Sequence, residues 1–218
     1  MKLFVWDFHG VLERDYERGI CAHINRVLAQ FGTKRRLTLE ETYHCYGYKL
    51  YQYFEFLLPD DSHQTHLQLQ QAFLDTQDWS EIKKYIRSNH HAHRVLDAIH
   101  AKHNQILISN SHPHALANFL DAVDQRQYFP TDRAYGVSVR DHDHDHDHQK
   151  VTKPEVLRNF LAHSPHDELV IIGDSPSDIA LKEVAGGTTY LYVHPHLTHK
   201  DCAADHRITD LREILKEV

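Results

Sequence analysis

The stretch Leu169-Val170-Ile171-Ile172-Gly173-Asp174-Ser175-Pro176-Ser177-Asp178 decides how the rest of the chain is read. Its first five residues form a short apolar run of the kind that makes a fully buried strand, and Gly173 with Pro176 marks the turn that ends it. An acid, Asp174, stands directly after the strand. The same pattern occurs early in the chain, where Lys2-Leu3-Phe4-Val5-Trp6 runs into Asp7-Phe8-His9-Gly10. It returns at Gln105-Ile106-Leu107-Ile108-Ser109, which ends on a hydroxyl.

Working outward, the second half alternates. Residues 113–123 and 154–162 read as helices, the first with Pro113 suited to its opening turn. Residues 135–139 and 189–193 read as strands, and 177–185 and 210–216 as helices. Such alternation implies right-handed crossovers and a parallel sheet. The expected class is α/β, a Rossmann-like doubly wound parallel sheet. Ligands of such sheets bind at the carboxyl ends of the strands.

Residues 14–92 have another texture, with no strand-like run. Ile20, Ile24, Val27, Leu28 and Phe31 share one helical face that stops at Gly32. Leu39-Glu40-Glu41 opens a second helix, and an aromatic stretch follows from Tyr43 to Phe56. It reads as core, with Tyr46, Lys49 or Tyr53 as candidates for a substrate pocket. Leu67, Leu69, Ala72, Phe73 and Leu74 suggest a third helix, and Trp79, Ile82, Tyr85 and Ile86 a fourth. The expected organisation is therefore a core of 1–13 and 93–218 with an inserted α-helical module of 14–92.

The 218 residues carry 24 Lys and Arg against 31 Asp and Glu, a net charge of −7 with His neutral, and are 41 % hydrophobic. That excludes disordered, collagenous and membrane-spanning architectures. The acidic balance argues against a nucleic-acid partner, and no membrane partner is expected. Asp7 and His9 break the apolar run near the start, so no secretion signal is expected there. Cys21, Cys45 and Cys202 are scattered and odd in number, which fits a reduced, cytoplasmic protein. The 22 histidines make the charge rise steeply in mild acid.

Asp7, Ser109, Lys153 and Asp174 are far apart in sequence, yet a parallel sheet would bring them to one edge. Two carboxylates there can hold a hard cation such as Mg²⁺. A hydroxyl and an ammonium can hold a phosphate, and a carboxylate can attack phosphorus to form an aspartyl-phosphate. Lys150 competes with Lys153 for the ammonium role. Lys153 is favoured because Pro154 fixes where the next helix opens.

The ordered set resembles the haloacid dehalogenase superfamily over nearly the whole chain. Asp7-Phe8-His9-Gly10-Val11-Leu12 is similar to that family's first motif, Ser109 to its second, Lys153-Pro154 to its third, and Gly173-Asp174-Ser175-Pro176-Ser177-Asp178 to its fourth. The helical insertion resembles the family's cap, which closes over substrate. The resemblance implies a Mg²⁺-dependent phosphohydrolase acting on a small phosphorylated metabolite, a phosphate monoester. Asp7 would be nucleophile and metal ligand, and His9 would lend its backbone carbonyl to the metal. Ser109, with the adjacent Asn110, and Lys153 would bind the phosphoryl group. Asp174 would ligate the metal, with Asp178 completing that set.

One departure stands out. Family phosphatases carry a second Asp where this chain has His9, and that Asp protonates the leaving group and then deprotonates water. An imidazole can do both near neutral pH. Two readings follow: a phosphatase that uses His9 as acid and base, or a catalytically weak or inactive phosphate- or metal-binding protein. A phosphotransferase differs from the first only in the acceptor.

The repeat Asp141-His142-Asp143-His144-Asp145-His146-Asp147-His148 is the one low-complexity segment. It reads first as a solvated loop, and alternatively as a transition-metal site. The remaining histidines, including His90-His91, His93, His194 and His196, read as surface residues without ligand spacing.

Overall fold

The computed structural model describes residues 1–137, 151–194, 197 and 202–218. The Asp-His repeat, Lys150 and Val139 lie outside the described residues, as do Pro195 and His196.

The chain divides into two compact units, one formed by Met1–Arg14 and most of the chain from Ser88 onward, the other by Asp15–Arg87. In the first unit β1 (Leu3–Trp6) is followed by β2 (Glu13–Arg14). In the second come α1 (Tyr16–Gln30), α2 (Leu39–His44), α3 (Leu50–Leu57), α4 (His63–Asp75) and α5 (Trp79–Tyr85). Then follow β3 (Arg87–Ser88), α6 (Ala92–His100), β4 (Asn104–Ser109), α7 (Pro113–Ala122), β5 (Ala134–Gly136) and α8 (Lys153–His163). The chain continues with β6 (Leu169–Gly173), α9 (Pro176–Ile179), α10 (Lys182–Ala185), β7 (Thr188–Tyr192), β8 (His206–Ile208) and a 3-10 helix, Leu211–Glu217.

Six strands form one sheet in the order β5-β4-β1-β6-β7-β8, and every neighbouring pair is parallel. β1 sits between β4 and β6, so the strand order reverses there. The crevice at such a reversal, outside the carboxyl end of the strands, is where open parallel sheets place their ligands. Both faces of the sheet are covered, as a parallel sheet requires. Leu3 and Val5 pack with Ile106, Ile108 and Ile171 and with Val156 and Leu157 of α8. Phe4 and Trp6 alternate to the other side and are just as buried.

The helical unit has its own core. Ile24, Val27 and Leu28 of α1 pack with Tyr53, Phe54 and Leu57 of α3 and with Leu69 and Phe73 of α4. Good local signals start these helices: Thr38 and Glu41 form a capping box on α2, and Ser62 accepts from Thr65 N at the start of α4. Of the aromatic stretch, Tyr53 and Phe54 belong to this core, whereas Tyr48 and Lys49 are exposed and Tyr46 is half-buried.

Several expectations need correction. Phe31 is not on the buried face of α1. It is the C-cap residue and is 49 % exposed, and Gly32 follows at φ +73°. The stretch expected to lack strands contains β3, which pairs with β2. Two residues leave too little periodicity to read. Ser88 onward belongs to the first unit because Asn89 donates from its backbone to Leu12 O and from its side chain to Val11 O. The helix expected over 177–185 is two short ones, α9 and α10, and the last helix is 3-10 rather than α. β8 was not anticipated, for His206-Arg207-Ile208 has one buried residue among three.

Candidate active site

Each strand that ends at the crevice delivers one polar residue. Asp7 follows β1 and donates its backbone N–H to Ile172 O of β6, which fixes it level with the end of that strand. Ser109 is the last residue of β4 and is buried. Asp174 follows β6 and is buried. Lys153 opens α8, whose N-cap Thr152 forms a capping box with Glu155.

Lys153 joins the group from across the sheet. Its Nζ donates to Asp7 Oδ1 at 2.7 Å and to Asp178 Oδ1 at 2.6 Å. Side-chain exposure of Lys153, Asp7 and Asp178 is only 4 %, 8 % and 3 %. Lys153 is therefore the ammonium at this edge among the described residues, and Lys150 lies outside them. Asp178 is held at its other oxygen: Oδ2 accepts from Ser175 N at 3.1 Å and from Ser175 Oγ at 2.5 Å. A Cβ on Gly173 would run into the Asp178 side chain, so glycine is needed at that position for steric reasons. One oxygen from each of Asp7, Asp174 and Asp178 lies within 4.8 Å of the others.

Burial pushes the Asp7 carboxyl up to about 6, against the pull of the Lys153 charge, with the nearby Asp178 charge raising it further. For Lys153, burial alone would lower the value. The Asp178 and Asp7 charges outweigh it, and the ammonium is held above its ordinary range. Three buried carboxylates thus gather around one buried ammonium. If all are ionised they leave two negative charges uncompensated among these four groups, an arrangement that favours a divalent cation.

His9 lies in the tight turn after Asp7, where Val11 and Leu12 both donate to Phe8 O. The ring is half-buried and meets Phe119 edge-on at 4.8 Å. Its Nδ1 lies 3.1 Å from Glu13 Oε1 and its Nε2 lies 2.9 Å from Ser111 Oγ. Ser111 Oγ is in turn 3.2 Å from Ser109 Oγ. Glu13 is fully buried, and its Oε1 also accepts from Gly10 N at 3.3 Å. A hydrogen-bonded line therefore runs from Glu13 through His9 and Ser111 to Ser109. Asn110 is exposed in the turn between the two serines and takes no part in that line.

Glu13 and Ser111 escaped the sequence reading. The signal was a four-residue spacing from His9 to Glu13, which normally matters only on a helix, and here the turn brings the pair together. Gly136 adds a further constraint, since a Cβ there would press on Ser111 O and Pro113 N, the turn that carries Ser111.

Comparison with known proteins bears on the fold and the family. A family model described as haloacid dehalogenase-like hydrolase matches residues 4–190. No curated protein matches the chain as a relative. Among solved structures, a superfamily hydrolase of subfamily IA, variant 1, from Geobacter sulfurreducens is 19 % identical, with a TM-score of 0.73 over 100 % of this chain and 96 % of that one. A predicted phosphoglycolate phosphatase from Haemophilus somnus is 15 % identical with a TM-score of 0.77, covering 100 % and 97 %. CbbY from Rhodobacter sphaeroides, solved in complex with phosphate, is 14 % identical with a TM-score of 0.67, covering 98 % and 95 %. At these identities the structures speak for the fold alone, while the match over residues 4–190, which takes in Asp7, Ser109, Lys153 and Asp174 in that order along the chain, makes the chain a member of the haloacid dehalogenase-like hydrolase family.

Proposed function

We propose that the chain is a phosphohydrolase that cleaves small phosphate monoesters through an aspartyl-phosphate on Asp7. The observation that carries this reading is the bridge of Lys153 between the buried carboxylates of Asp7 and Asp178, with Asp174 close by. An oxygen-only donor set with excess negative charge fits Mg²⁺, held by Asp7, Asp174 and the His9 backbone carbonyl. The ion would supply charge neutralisation for the phosphoryl oxygens. Asp178 spends one oxygen on Lys153 and the other on Ser175, so it orients the ammonium rather than taking the ion directly.

A carboxylate oxygen of Asp7 attacks phosphorus, and the bond from phosphorus to the leaving oxygen breaks. His9 gives that oxygen a proton from Nε2, the nitrogen that points to Ser111, while Glu13 holds Nδ1. Water then attacks the phosphorus of the aspartyl-phosphate, loses its proton to His9, and releases phosphate and the Asp7 carboxylate. Ser109 and Lys153 hold the phosphoryl oxygens throughout, so most of the work is positioning and charge stabilisation. The helical unit serves as the cap that selects the substrate and excludes water.

The test is steady-state hydrolysis of an aryl phosphate with Mg²⁺, together with mass analysis of acid-quenched protein. The wild type turns over and carries one phosphoryl group, and Asp7→Asn does neither. Retained turnover in Asp7→Asn refutes the covalent route. A silent wild type that becomes active as His9→Asp would favour the inactive-binder reading instead.

A further inference from the structure

Outside the crevice, the helical unit holds a second group of ligating side chains. Glu55 lies on α3, and His63 and His66 lie three residues apart on α4, hence on one helical face. One carboxylate oxygen and one ring nitrogen from each histidine lie within 4.8 Å of one another. Glu55 Oε1 is 3.3 Å from His63 Nδ1.

His66 supplies the second observation. The residue is only 4 % exposed, and its Nε2 lies 2.9 Å from Leu58 O. A carbonyl can only accept, so the Nε2 carries the proton and the Nδ1 of the neutral ring carries a lone pair. That Nδ1 is buried and has no hydrogen-bond partner among the described residues. A buried acceptor without a donor is destabilising unless something electropositive meets it. An imidazole whose other nitrogen is tied to a backbone carbonyl is also the usual state of a metal-bound histidine.

We propose that Glu55, His63 and His66 bind a zinc-class divalent ion and so clamp α3 to α4. Two imidazoles and one carboxylate suit Zn²⁺ in four-coordinate geometry, with water at the open fourth position. Mg²⁺ prefers an all-oxygen set and would be rejected. The acceptor orphaned at His66 gains its partner, and the Glu55 charge is neutralised.

The experiment uses the full, untagged chain with saturating Mg²⁺. The Asp-His repeat can take the same ions, so His142, His144, His146 and His148 are all changed to Gln as the common background. Zn²⁺ is titrated by calorimetry and thermal unfolding is followed with and without it. The background protein should bind one Zn²⁺ and unfold at a higher temperature when loaded. His63→Gln and Glu55→Gln should each weaken binding about tenfold or more and remove the thermal shift. Both positions are solvent-accessible, with side-chain exposures of 63 % and 42 %, and circular dichroism verifies that the variants fold. Co²⁺ in place of Zn²⁺ should give the intense visible absorption of a four-coordinate ion. Equal affinity in the background and both folded variants, no binding in the background, or a weak six-coordinate Co²⁺ spectrum would each overturn the proposal.

Discussion

Changing Lys153 to Met removes the single ammonium that two buried carboxylates share, while keeping a side chain of similar length. Asp7 at 2.7 Å and Asp178 at 2.6 Å are then left facing each other in a site whose side chains are less than a tenth exposed. Breaking a buried pair by deleting one partner costs about 3–5 kcal/mol. The loss should depend on pH. Burial and Asp178 already hold Asp7 at about 6, and the Lys153 charge is the main influence lowering it. An acid raised in this way favours the fold while protonated, so its contribution is complete below the ordinary carboxylate range and is lost as pH rises through about 6. Without Lys153 the value rises further, and the deficit should be smaller at pH 5 than at pH 8. Urea unfolding in the presence of a chelator measures it, with buried Trp6 of β1 as the fluorophore in a Trp79→Phe background. With a urea slope of about 2–3 kcal/mol per molar, the midpoint at pH 8 should fall by about 1–2 M. Adding Asp178→Asn should recover part of it. A deficit below about 1 kcal/mol at pH 8, or one equal at pH 5 and pH 8, would refute the picture of carboxylates held out of water by a single cation.

Glu13→Gln should lower kcat by up to about 100-fold with little change in KM, because His9 Nδ1 then faces a neutral amide in place of the carboxylate that holds the ring. Glu13→Asp should restore part of the rate, and equal kinetics in all three proteins would remove Glu13 from the mechanism. Gly173→Ala forces Asp178 aside and should cost about 1–3 kcal/mol in urea unfolding while also slowing turnover. Unchanged stability would mean that the Asp178 side chain has room to move.

The sheet was legible because β1, β4 and β6 are short, continuous apolar runs, each closed by a polar residue that could not be buried without a purpose. Lys153 was legible through Pro154, which fixes the start of α8. The pieces that stayed hidden depend on geometry between segments. Glu13 meets His9 only because the chain makes a tight turn, and Ser111 is one turn beyond a strand end. His63 and His66 have helical spacing, yet their third partner, Glu55, comes from another helix. β2, β3 and β8 are two or three residues long, too short for any period to show. Phe31 misled because helical periodicity runs on past the residue at which Gly32 lets the chain leave the helix.

The central place of β1 has a consequence for biosynthesis. Its partners, β4 and β6, lie about 100 and about 165 residues further along the chain. At ~5–20 residues per second, a ribosome needs on the order of 5–20 s to deliver the first of them. For that interval Leu3-Phe4-Val5-Trp6 is an apolar strand with two bare edges, and the five helices of the insertion can fold before it finds a neighbour. The nascent chain therefore carries a sticky segment throughout that interval, and its dependence on chaperones should fall mainly on these four residues.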